Sequence, residues 1–107
     1  MILTTTDYCS GKRILKTLGL VQGSTIRARH VGLDLTAAFK NITGGEITEY
    51  TKMMAESREQ CLDRMREVAA QRGADGIVGV RFITSSVMQG ASELLVYGTA
   101  VKWEDDV

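Results

Sequence analysis

Between Glu46 and Arg72 the apolar side chains return repeatedly to one side of a helix. Ile47, Tyr50, Met54, Cys61, Met65 and Val68 follow one another at steps of three, four or seven, and the small Ser57 fills the one gap. The remaining faces carry six acids and five bases, with Lys52/Glu56 and Asp63/Arg66 at helical-neighbour spacing. This pattern predicts one long helix over 46–72. Burying six such side chains is worth ~1.5–3 kcal/mol each before conformational entropy is subtracted, so the stripe is the expected centre of the core. A helix of that span is ~40 Å long, more than a domain of ~13 Å radius of gyration covers. Its far end is therefore expected to meet another subunit.

The residues after the helix, "RGADGIVGVRF", hold three glycines in a short space and invite comparison with a phosphate-binding loop. The order of elements argues against that. A phosphate cradle follows a strand and opens a helix, whose free N–H groups face the anion. Here the helix ends at the glycines and a β-prone run follows, so an anion would meet the negative end of the helix dipole. Gly73 reads as a left-handed helix cap, and Gly76 and Gly79 as strand positions that allow bending or close approach. Two strands are then expected, Asp75 to about Val87 and Ser92 to Trp103, joined by a tight turn at "MQGA". Neither face of the second is wholly polar over its first half. One face suits the helix and the other suits a neighbouring chain.

Ahead of the helix, "ILTTT" is a short β-prone segment and "DYCSG" is turn-like. From Arg13 to His30 the chain predicts two short strands or one bent strand, with Gly19 and Gly23 permitting the bend. A short helix is expected over 32–45, with Asp34 as N-cap, Leu35, Ala38, Phe39 and Ile42 at helical spacing and Gly44-Gly45 as the stop.

The 107 residues make one domain, 1–107, with composition ordinary for a soluble protein: 44% apolar and 24% charged. Thirteen basic residues balance thirteen acidic ones. That neutrality removes a general attraction to nucleic acid or an anionic membrane, and removes the repulsion that holds small proteins apart. The apolar runs are too short to span a bilayer, and "MILTTTDYCSGK" lacks the pattern of a secretory signal. Cys9 and Cys61, with no paired spacing, fit a reduced cytoplasmic protein. The basic excess over 1–45 and the acidic end "WEDDV" are two opposite patches, available for pairing between subunits or merely solvated.

"GADGIVGVRF" after a long helix, followed by "LLVYGTAVKW", resembles the YbjQ-like family of small bacterial and archaeal proteins labelled for heavy-metal binding. "GLVQGSTIRA" and "ITGGEITEYTKMMAESREQCLDRM" extend the resemblance over nearly the whole chain. It implies an α+β, dodecin-like β-α-β-β subunit, with a three-stranded, mainly antiparallel sheet on one long helix. It also implies a homo-oligomeric ring, a pentamer, and no catalytic apparatus. Gly44, Gly45, Tyr50, Arg58, Met65, Gly73, Asp75, Gly98 and Thr99 stand at the family's pattern positions and are carried over as fold or assembly residues.

Binding a heavy-metal ion needs soft or borderline ligands that converge. The candidates are Cys9, His30 and Cys61, with the Met53-Met54 pair. No C-x-x-C or H-x₃-H spacing is present, and Cys61 lies on the apolar stripe, where a small core residue is the simpler reading. A ring offers another way to build such a site, by repeating Cys9 or His30 around its axis. The alternatives are a ring that binds a small molecule, or a cysteine-dependent enzyme using Cys9 with His30. Arg27 and Arg29 fall on one strand face near Lys12, Arg13 and Lys16, yet six aromatics without a stacking motif do not make a nucleic-acid reader. The expectation is a non-enzymatic, ring-forming binding module.

Overall fold

The structure is a computed structural model that describes residues 1–28, 42–43 and 46–107. Its elements are β1 (Ile2–Leu3), β2 (Lys12–Ala28), β3 (Ile42–Thr43), β4 (Glu46–Ile47), α1 (Thr48–Gln71), β5 (Gly76–Met88) and β6 (Ala91–Asp105). The main sheet runs β1-β5-β6-β2. β6 pairs antiparallel with both long neighbours, whereas β1 lies parallel to β5. The expected three-stranded sheet is thus four-stranded. Two residues are too few to show alternation, but the chain beyond them stays hydrogen-bonded to β5. The Thr4 and Thr6 carbonyls accept from the Val80 and Gly79 N–H groups. β3 and β4 form a separate two-residue ladder, Ile42 opposite Ile47.

The long helix forms as its periodicity predicts, over Thr48–Gln71, shorter by one strand at its start because Glu46 and Ile47 are taken into β4. Cys61 and Met65 are fully buried, and Ser57 and Ala69 with them. The helix stops in a two-bond cap: the Gly73 N–H donates to Ala70 O and the Ala74 N–H to Ala69 O. Gly73 has φ 77°, the left-handed conformation such a cap requires. Asp63 and Arg66 pair on the outer surface at 3.1 Å, as their spacing predicts.

β2 is one long strand rather than two, with register shifts at Ile14/Lys16 and Thr17/Gly19. Gly19, at φ 105°, accompanies the second shift and supplies the expected bend. Gly23 has a different role. A Cβ there would sit 2.2 Å from Cys61 O and 2.7 Å from Met65 N, so the helix backbone rests directly on the strand. Along β2, Val21, Gly23 and Thr25 face α1; along β6, Leu94, Val96, Gly98 and Ala100 do so, closing the core with Ile77 and Val80 of β5.

The glycine run is a structural junction. Trp103 lies against Gly76, where a Cβ would come within 2.0 Å of its ring, and the β5 register shifts between Val78 and Arg81 around Gly79 at φ 63°. Asp75 ties the junction to β6: its N–H donates to Val101 O, and its Oδ2 accepts the Trp103 N–H at 3.0 Å. The hairpin β5–β6 turns at Gln89-Gly90, as "MQGA" predicts.

The helix expected over 32–45 falls mostly outside the described residues. Its Ile42 and Thr43 are in β3 and not in a helix, because they find a ladder partner in β4.

Candidate functional site

The two cysteines occupy unlike environments. Cys61 is fully buried on α1, donates its thiol proton to Leu94 O at 3.2 Å and lies 3.5 Å from Thr25 Oγ1. It fills a small gap between helix and sheet. Cys9 is half-buried in the β1–β2 connection, where its Sγ approaches Ser10 O at 3.9 Å and its carbonyl accepts the Lys12 N–H. His30 lies outside the described residues. Among the described residues no three His, Cys, Asp or Glu side chains converge as a metal site would require.

Three basic residues of the first half, Lys12, Arg13 and Arg27, are engaged within the subunit. Lys12 pairs with Asp105 at 2.5 Å and Arg13 pairs with Glu104. The acidic end and the basic start therefore neutralise each other in one chain, because the antiparallel β2/β6 register sets Lys12 opposite Asp105 and Arg13 opposite Glu104. That partnership holds the Asp105 carboxyl below its ordinary range and the Lys12 ammonium above its own, chiefly through their mutual hydrogen bond. Arg27 does not stand on an open strand face. It turns toward α1, donating from Nε to Ser57 Oγ and from Nη2 to Gln60 Oε1, both at 2.8 Å.

The two long edges of the sheet differ. Among the described residues β2 pairs with β6 alone, and its outer side meets no other strand. Two arginines of the helix and its end reach over that edge. Arg72 Nη1 donates to Leu20 O at 2.7 Å and Arg64 Nη1 to Ser24 O at 2.5 Å. A charged side chain bonded to an edge carbonyl blocks the addition of another strand there. β5 is covered by the N-terminal segment only as far as Arg81, whose Nη1 donates to Thr5 O at 2.7 Å. From Phe82 to Met88 it has no neighbour on that side among the described residues, and every side chain is exposed. Phe82, Ile83, Val87 and Met88 are 42–67% exposed.

The sheet face away from α1 is open as well. Register places Gln22, Tyr97 and Arg81 in one row, and Ser24, Leu95 and Ile83 in the next, with Leu20 and Ile26 on the same side. Leu20 and Ile26 are 61% and 64% exposed. Sequence periodicity located this second apolar face on β6. It did not find the edge arginines, since Arg64 and Arg72 look like any solvated helix charge until the strand beside them is known.

The fold and its surfaces define a class: a small α+β subunit with a mixed four-stranded sheet and, among the described residues, one guarded edge, one open edge and an uncovered apolar face. The family model described as "Putative heavy-metal-binding" matches residues 1–104. The chain belongs to that YbjQ family. A UPF0145 protein of Methanosarcina acetivorans is 55% identical over 102 residues, covering 95% of this chain and 96% of the relative. Another, of Methanococcus maripaludis, is 56% identical over 107 residues, covering 100% and 96%. A third, of Clostridioides difficile, is 53% identical over 106 residues, covering 99% and 95%. The fold is similar to a solved protein of unknown function from Pediococcus pentosaceus, at TM-score 0.60 and 18% identity over 99% of this chain and 98% of that one. No described helix is long and apolar enough to cross a membrane.

Proposed function

We propose that this chain is the repeating subunit of a cytoplasmic homo-oligomeric ring, a pentamer by its family resemblance, that acts by binding a ligand rather than by catalysis. The observation that carries this reading is the asymmetry of the sheet edges. One edge is capped by Arg64 and Arg72, while Phe82–Met88 has no partner for its outer backbone or its apolar side chains among the described residues. An open edge of that length is ordinarily covered, and a second copy is the simplest cover because the outer face beside it is also apolar. A radius of gyration of 17.4 Å, against ~13 Å for a compact domain of this length, suits a subunit completed by neighbours.

The ligand class follows from the family's description, a heavy-metal ion. In a dodecin-like ring, a half-buried thiol such as Cys9 is repeated about the axis, and several copies supply what one subunit lacks. His30 is the other candidate for such repetition. Cys61 serves packing, since its thiol is spent on Leu94 O.

Native mass spectrometry and elemental analysis of untagged protein test the two parts together. The reading expects one closed oligomer, and micromolar or tighter binding of zinc, copper(I) or cadmium that Cys9→Ala abolishes. A stable monomer at all concentrations overturns the ring. Affinity no tighter than millimolar for every metal overturns the metal.

A further inference from the structure

A cavity of about 120 Å³ opens between the first half of α1 and the β5–β6 hairpin. Met53, Met54 and Ser57 line it from the helix, Thr84, Ser92 and Leu94 from the hairpin, and Arg27 from β2. Its charge decides what it can hold. Arg27 carries five N–H donors, of which Ser57 and Gln60 take one each, so 5 − 2 = 3 remain without a partner among the described residues. None of the ion pairs among the described residues includes it. Ser57 is itself fully buried, so its bond to Nε holds the guanidinium in one orientation at the cavity wall.

The Met53-Met54 thioethers alone would suit a soft metal cation. The fixed guanidinium beside them opposes any cation and favours an anion that accepts two parallel N–H bonds, as a carboxylate does. The other walls divide in the same sense. Thr84 and Ser92 add hydroxyl donors, whereas Met53, Met54 and Leu94 offer an apolar surface to whatever is attached to the anionic head. The volume is well below that of a drug-sized pocket. That limits the ligand to a few carbons beyond the head group.

We infer that this cavity is a binding site for a short aliphatic carboxylate, its carboxylate on Arg27 and its alkyl chain against Met53, Met54 and Leu94. Every group the inference uses belongs to one chain and none is a metal ligand; Thr84 also stands on the Phe82–Met88 edge, so binding is read on the protein in its native assembly.

Butyrate is the probe, with 1-butanol and butylammonium as matched controls, read by the ε-methyl NMR signals of Met53 and Met54 in the intact protein. Butyrate is expected to move both signals saturably, with a dissociation constant on the order of 1 mM or tighter, while neither control does. Arg27→Gln is expected to weaken binding at least about tenfold. Thr84→Phe, on an exposed strand position, is expected to block the cavity while leaving Arg27 and the helix in place, so a loss there cannot be assigned to misfolding of the arginine. Gln60→Ala, which keeps the charge, is expected to retain binding. Equal shifts with butanol, unmoved signals at about 10 mM butyrate, or silver(I) binding to the methionines without any response to butyrate would each overturn the assignment.

Discussion

Gly23 of β2 and Cys61 of α1 meet backbone to backbone, so closely that a methyl on Gly23 would lie 2.2 Å from the Cys61 carbonyl oxygen. The contact lets a helix lie flush on the strand and brings the Cys61 thiol within reach of Leu94 O. Gly23→Ala must either push the helix away or bend the strand. Such overpacking is expected to destabilise the subunit by about 1–3 kcal/mol. For a domain of this size each kcal/mol lowers the melting temperature by ~4–8 °C. Chemical denaturation measures it, and an unchanged midpoint would mean that the helix sits higher than described.

The two thiols should behave differently toward a disulfide reagent. Cys9, half-buried in a connection, is expected to react in the folded protein, and Cys61, fully buried, only on unfolding. Cys61→Ala is expected to cost about 1 kcal/mol through the small void it leaves, while Cys9→Ala costs nothing measurable. Two equally fast thiols would contradict the packing.

At the open edge, Ile83→Glu and Val87→Glu place charge where apolar surface awaits cover. Each is expected to weaken subunit association by roughly 10- to 100-fold, the equivalent of losing one buried aliphatic side chain at ~1.5–3 kcal/mol. Arg64→Ala uncovers Ser24 O on the guarded edge, so it should leave the specific oligomer intact and add nonspecific association. Sedimentation velocity separates these outcomes.

The Lys12–Asp105 pair predicts a weak pH dependence with two limits. The folded-state Asp105 carboxyl titrates below its ordinary value, so its contribution is present above that value and is lost as pH falls through the folded one. Lys12 titrates above its ordinary value, so its contribution is present below that value and lost as pH rises through the folded one. Both side chains are in solvent, so the difference between wild type and Asp105→Asn should be small and should vanish in salt on the order of 1 M. A difference that survives such salt would point to a buried pair instead.

The long helix, its Gly73 stop and the β5–β6 hairpin were legible because each rests on a local rule. A stripe at helical spacing, a glycine after the last turn and alternation across a tight turn are written in neighbouring residues. "ILTTT" reads as β-prone, but its place as a fourth strand was not legible, because Ile2 and Leu3 join the sheet only by lying beside Gly76 and Ile77. Arg27 shows the same limit at the site level. Alternation placed it with Arg29 on one strand face, but only the packing of α1 showed that Arg27 meets Ser57, Gln60 and a cavity.

The chain's order of residues determined the long helix and the β5–β6 hairpin, which stripe is buried, and that a second apolar face would be left over on β6. Those properties come from spacing along the backbone, where the physics is short-ranged. Tertiary structure alone decided that one sheet edge is capped by arginines and the other left bare among the described residues, that Lys12 and Arg13 pair with the acidic end within one subunit, and that a guanidinium stands over a small cavity. Each of these joins groups far apart in sequence, and only the close approach of helix to sheet brings them within bonding distance.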